Sequence, residues 1–285
     1  MALDQVDVDK MDDESEMSFL DHLEALRWHL VRSVLALVLI TVVVFIFKGA
    51  LEFVLNWPRF KDFPTYRFFC GISDVTCFHP PDFKLDIKSP TEAFLTHIRA
   101  SVIFALIITF PYIFYEIWKF IKPALHKNEL RAARGIVASC SSLFISGVAF
   151  GYFVICPFAI TFLANYQFGT NVDFEPNLSD YVSSIIMFTF PTGLVFQLPV
   201  AVYFLSKVNL VTPEFLKKYR RHAMVVILLL AAIVTPPDVV TQFLIGIPLF
   251  MLYEASIIIS RRVIKAAEQK EKEEERKMIS TKKLK

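Results

Sequence analysis

Charge is what this chain has least of. Asp, Glu, Lys and Arg make up 20% of its 285 residues, against 55% apolar residues and a mean hydropathy of +0.50. Soluble domains carry about a quarter of charged residues, so the shortage excludes a water-soluble globular protein and makes the chain an integral membrane protein. The charges nearly cancel, 30 basic against 28 acidic for a net +2. That excludes nucleic acid as a partner, because a phosphate backbone calls for a clustered basic face. Only four cysteines occur, Cys70, Cys77, Cys140 and Cys156, and no C-x-x-C or H-x-x-x-H accompanies them, so no metal site is expected. There is no G-x-x-x-x-G-K-[ST] loop, no G-x-S-x-G and no H-E-x-x-H, and His97 is the only histidine inside an apolar run. The chain is therefore read as no enzyme, with no ATPase of its own and no cofactor. Residues 1–17, MALDQVDVDKMDDESEM, lack the basic n-region of a signal peptide, and no small-residue cleavage site follows the first apolar run. That run is read as an uncleaved span. No internal repeat is visible, and the two halves lack the matching broken helices of many secondary transporters.

What is present is a series of long apolar runs between short charged loops, the pattern of an all-α integral membrane protein with six transmembrane helices. The spans fall at about residues 30–47, 93–118, 136–163, 182–205, 222–235 and 239–259. They divide the chain into an acidic tail (1–17), a membrane domain (18–262) and a charged tail (263–285). Arg27, His29 and Arg32 sit just before the unbroken apolar run from Val34 to Phe47. Lys119, Lys122, Lys127, Arg131 and Arg134 lie between the second and third, and Lys207, Lys217, Lys218, Arg220 and Arg221 between the fourth and fifth. The intervening loop 164–181 has no Lys or Arg but carries Asp173, Glu175 and Asp180. By the positive-inside bias both termini are cytoplasmic.

Phe19, Leu23, Leu26 and Leu30 recur at helical spacing, which predicts an interfacial helix leading into the membrane. Pro58, Pro64, Gly71, Pro80 and Pro81 make residues 48–91 an ordered extracytoplasmic loop. Cys70 and Cys77 lie in it, and in a periplasm both a bridge and two free thiols fit the sequence. Span three carries Ser139, Ser142, Ser146, Gly147 and Gly151, small residues that let helices approach closely, so it is placed centrally. The run 223–234 is about a dozen residues, roughly 18 Å as a helix against about 30 Å of hydrocarbon. With a turn at TPPD (235–238) and the returning run 239–259, it forms a short hairpin that thins the bilayer locally or leaves water at its tip. The last residues alternate in charge, as a solvated helix or a disordered tail does.

The words HLEALR (22–27), SPTEAF (89–94), KPALHKNE (122–129), FGYFVICPFAITFL (150–163), FQLPVA (196–201) and IVTPPDVVTQ stand in an order and spacing that resembles the TatC family of twin-arginine protein translocase subunits. The resemblance covers roughly residues 18–262. It implies the receptor and core of a translocase that moves folded proteins across the bacterial inner membrane and recognises signal peptides with two adjacent arginines. It also implies the proton-motive force as energy source, single-span TatA and TatB type subunits as partners, and self-association in a larger complex within membrane lipid.

Glu129 matches the family's acidic position in the first cytoplasmic loop, and Phe120 its aromatic nine residues before. A carboxylate accepts the planar guanidinium fork bidentately, so Glu129 is the candidate reader of one signal arginine; the plainer reading is a loop charge paired with Lys127 or Arg131. For the second arginine the family's acid falls on Ala25. That leaves Glu24 or Asp21 as the second acid, or both as interfacial surface charges, with Arg27 beside them in the signal-peptide site. Gln197, in span four, is read as a hydrogen bond to a neighbouring helix or a partner contact. Glu254 is read as a snorkelling charge near a span end. Tyr152, Pro90 and Asp238 match family words, the last two as turn or cap residues. The rival reading is a proton-coupled secondary transporter of a small solute, motivated by Gln197, Glu254, Arg99 and the proline-broken spans.

Overall fold

The computed structural model describes residues 19–73, 77–121, 135–166, 174–207, 210–234 and 239–283. Among these residues the chain is helical, and its only extended pairing is an isolated bridge between Asp86 and Asn177. The first helix, α1 (Phe19–Ile46), contains no Gly or Pro, so the amphipathic start and the first span run on as one rod. It packs lengthwise against α4 (Glu92–Ile121), which continues through Pro111.

The third span is helical in three parts: α5 (Ile136–Phe150), a π-turn (Gly151–Ile155) and α6 (Cys156–Asn165). Pro157 has no N–H to give the carbonyl of Phe153, and the Thr65 hydroxyl donates to that carbonyl instead. The fourth span divides into α7 (Leu178–Val195) and α8 (Leu198–Lys207) at Phe196 and Gln197, where Pro199 cannot continue the ladder. After the short α9 (Pro213–Lys218), capped by the Thr212 side chain, come α10 (Arg220–Val234) and α11 (Val239–Lys283). The charged tail is thus the end of a 45-residue helix.

Among the described residues five helices are long and apolar enough to cross a membrane: Leu26–Ile46, Glu92–Phe120, Ile136–Asn165, Leu178–Lys207 and Gln242–Ala266. The helix α10 is shorter, 15 residues, roughly 22 Å against about 30 Å of hydrocarbon. The span starting at Ile136 is the most enclosed, half buried against 6% for the first. Its small residues do what their type predicts: a Cβ on Gly151 would lie 2.8 Å from Thr189 Cα, and one on Gly147 2.7 Å from Phe196 Cβ. The backbones of α5 and α7 can touch only because those side chains are missing.

The loop 48–91 holds more regular structure than its composition suggests. It contains α2 (Lys48–Asn56), a 3-10 turn (Trp57–Arg59) and α3 (Pro64–Ile72), in which Pro64 opens the helix after the extended Phe63. Three tyrosine hydroxyls bond this cap to the bundle. Tyr152 donates to Val54 O at 2.6 Å and Tyr181 to Leu55 O at 3.1 Å, while Tyr66 bonds Pro58 O at 2.9 Å and Pro157 O at 3.3 Å. Burial raises the Tyr66 hydroxyl well above the usual phenol range, so it stays a donor. Cys70 and Cys77 are joined by a disulfide across a separation of seven residues. At the far side of the cap, Asp86 pairs with the backbone at Pro176 and Leu178, and the Glu92 carboxylate accepts from Lys88 N at 2.8 Å and Ser179 N at 3.1 Å. Pro90 lies in the exposed turn that leads into α4.

Candidate functional site

At the end of the bundle opposite the cap, α1 and α4 meet through a polar cluster. Glu116 of α4 is 4% exposed, and His29 of α1 comes within 2.5 Å of it, Nδ1 to Oε2. Phe120 is four residues past Glu116, and so on the same face of α4. Its ring meets the His29 imidazole edge-on, with centroids 6.3 Å apart. One imidazole therefore holds both the buried carboxylate and the aromatic singled out in the sequence. Trp118, on another face of α4, is buried against Phe204 of α8 at 5.4 Å.

Glu24 and Arg27 lie exposed on α1. Position 21 belongs to the same helix, but the Asp21 side chain lies outside the described residues, as do Glu129 and Asp238. The structure thus brings Phe120 to a defined place and leaves the two exposed α1 residues reachable from solvent. It also reveals an acid that sequence reasoning passed over. Glu116 had a signal, a carboxylate inside an apolar run four residues from Phe120; its partner His29, 87 positions away, had none.

The remaining polar positions have partners within the fold. The amide of Gln197 donates through Nε2 to Cys140 O at 3.0 Å, and its Oε1 accepts from the Cys140 thiol at 2.7 Å. Tyr152 is committed to Val54 O. Glu254 meets Arg220, Oε1 to Nε at 2.5 Å, and the Arg220 guanidinium lies 5.5 Å over the Phe250 ring. Ser206 and Ser260 bond one another, buried between α8 and α11. Arg99 donates to Ser183 Oγ at 3.0 Å. Among the described residues no group of three His, Cys, Asp or Glu side chains is placed to hold a metal ion. Lys217 and Lys218 lie in the last turn of α9, Arg221 in the first turn of α10, and Arg261 and Arg262 lie exposed on α11.

Comparison with known proteins adds a family to this geometry. Residues 21–248 match the family model described as Sec-independent protein translocase protein (TatC). A protein of that name from Blattabacterium sp. subsp. Periplaneta americana (strain BPLAN) is 37% identical over 261 residues, covering 89% of this chain and 98% of the relative. Another, from Helicobacter pylori (strain J99), is 42% identical over 189 residues, 66% of this chain and 75% of that one. A crystal structure of the twin-arginine translocase receptor TatC in DDM superposes with a TM-score of 0.67 at 31% identity, covering 84% of this chain and 99% of the other. The matched stretch takes in every helix described here up to the first ten residues of α11. The chain belongs to the TatC family of Sec-independent protein translocase subunits.

Proposed function

We propose that this subunit is the receptor and core of a twin-arginine translocase. It binds twin-arginine signal peptides at its cytoplasmic face, gathers single-span TatA and TatB type subunits around it, and uses the proton-motive force to export folded proteins across the bacterial inner membrane. The observation that carries the reading is the family match itself, which spans both the 22–27 segment and the 122–129 loop without a gap in helix order. The topology that goes with it has six spans, α10 being a short one, and both termini in the cytoplasm, the side on which the basic loops gather.

In this reading Glu129 accepts one signal arginine as a bidentate guanidinium partner, and Phe120, steadied by His29, supplies an apolar wall beside it. The second arginine is met from α1, by Glu24 or Asp21. Arg27, exposed on the same helix, keeps the basic end at the membrane surface. Against the transporter alternative stand the family match and the pairing of Gln197 with Cys140 and of Glu254 with Arg220. Glu129→Ala should abolish export of a twin-arginine passenger while the protein still accumulates in the membrane; undiminished export would refute the role of that carboxylate. Asp21→Ala and Glu24→Ala, tested separately for signal-peptide crosslinking, identify the second acid, and two unaffected variants would remove it from the account.

A further inference from the structure

Beside the cap, α2 with the loop before α4, the first turns of α4 and the start of α7 enclose an open cavity of about 820 Å³. It falls within the size range of small-molecule sites, roughly 300–1,000 Å³. Its rim holds Lys48, Arg59 and Lys84 against a single carboxylate, Glu52. Among the described residues none of the three cations has an ion-pair partner. The floor is apolar: Leu51, Leu55 and Ala100 belong to the buried core, and Phe94 lines the side toward the exterior, 58% exposed. His97 is also in the lining, its ring stacked on Phe45 at 4.2 Å and its Nε2 buried without a hydrogen-bond partner.

An apolar floor by itself is ordinary in a membrane protein. Three cations without a carboxylate partner, Arg59 resting only on the Phe60 ring at 5.0 Å, and a buried imidazole nitrogen without a hydrogen-bond partner in the same lining are not. The cavity is lined by α2, the loop before α4 and the first turns of α4 and α7; in the topology proposed above this level is the outer leaflet's interface, where headgroups give way to acyl chains. A ligand that satisfies both layers carries a phosphate at one end and a hydrocarbon chain at the other. We propose that this cavity binds one anionic phospholipid. Its phosphate lies among Lys48, Arg59 and Lys84, where charge-assisted hydrogen bonds are strongest, and its glycerol backbone meets His97 Nε2. An acyl chain runs over Leu51, Leu55 and Ala100 and leaves past Phe94. The excess of rim cations over Glu52 selects a lipid with net negative charge over a zwitterionic one. The assignment to the outer leaflet rests on the topology proposed above; the site itself does not.

The test is native mass spectrometry of the full chain in detergent, with phosphatidylglycerol, phosphatidylcholine or inorganic phosphate added at equal concentration. One phosphatidylglycerol should be retained with a preference over phosphatidylcholine of roughly tenfold or more. The combined variant Lys48→Gln, Arg59→Gln and Lys84→Gln should abolish that preference, whereas Lys217→Gln with Lys218→Gln, at the other end of the bundle, should leave it intact. If the combined variant does not fold, Lys84→Gln alone, on an exposed loop position, should reduce the preference by about threefold. Equal retention of the two lipids, retention unchanged by these rim substitutions, or displacement of the lipid by inorganic phosphate would overturn the proposal.

Discussion

A carboxylate taken out of water inside a membrane helix is costly unless something meets its charge, and at Glu116 that something is His29. Phe120 leans on the same imidazole, so the pair couples a buried acid to the aromatic beside the proposed signal site. Glu116→Ala should lower stability by about 3 kcal/mol, read as a drop in the thermal unfolding midpoint in detergent. His29→Ala combined with it should add far less than its own single effect, because the two groups act as a unit; a fully additive double variant would contradict the pairing. Gln197 is a second case. Replacing it by Leu removes its bond to Cys140 O and leaves the Cys140 thiol without an acceptor, at a cost of about 1 kcal/mol, and the same unfolding measurement checks it. At this scale the sequence was read unevenly. Glu129, Glu24 and Asp21 stood out because charges in loops and at helix starts are easy to see. Glu116 was visible as an acid in an apolar run, but its meaning depended on a histidine on another helix, and no spacing rule links two helices. Gln197 was recognised as needing a partner, and only the packing of α5 against α7 and α8 supplied Cys140.

The long elements were legible because twenty apolar residues in a row have few other solutions. The shortness of α10 followed from counting residues, and the central place of the third span from its glycines and serines. The cap was not legible. Its helices α2 and α3 are nine residues each, their boundaries are set by Pro64 and by packing, and the tyrosines that fix them come from α3, the π-turn and α7. The π-turn itself follows from Pro157, but the sequence does not reveal that Thr65 fills the vacated bond. Reduction of the Cys70–Cys77 bridge, which closes a short loop in this cap, should cost about 2 kcal/mol, seen as a lower unfolding midpoint with reductant present. Tyr181→Phe should cost about 1 kcal/mol by removing one buried hydrogen bond, and it should make protease cuts within residues 48–91 faster while leaving the basic loops as resistant as before.

For the whole molecule, charge decides orientation and the helices decide shape. At the end opposite the cap, α1 and α4 present Glu24, Arg27 and Phe120, and the Arg220–Glu254 pair joins α10 to α11. The tyrosine-bonded cap closes the other. Membership of the TatC family fits that polarity: in the function proposed above, the signal is read at the basic end and the long flanks face lipid and partner subunits. Order and composition could be read from the chain alone, whereas the contacts that make α1 and α4 a single face could not, since they join positions 87 apart. The most direct measurement is site-specific photo-crosslinking from position 129 to a signal peptide in membranes. A peptide with its arginine pair should give an adduct, and the same peptide with both arginines changed to lysine should lose it. Equal adducts from the two peptides, or none from either while the protein is present in the membrane, would contradict the account.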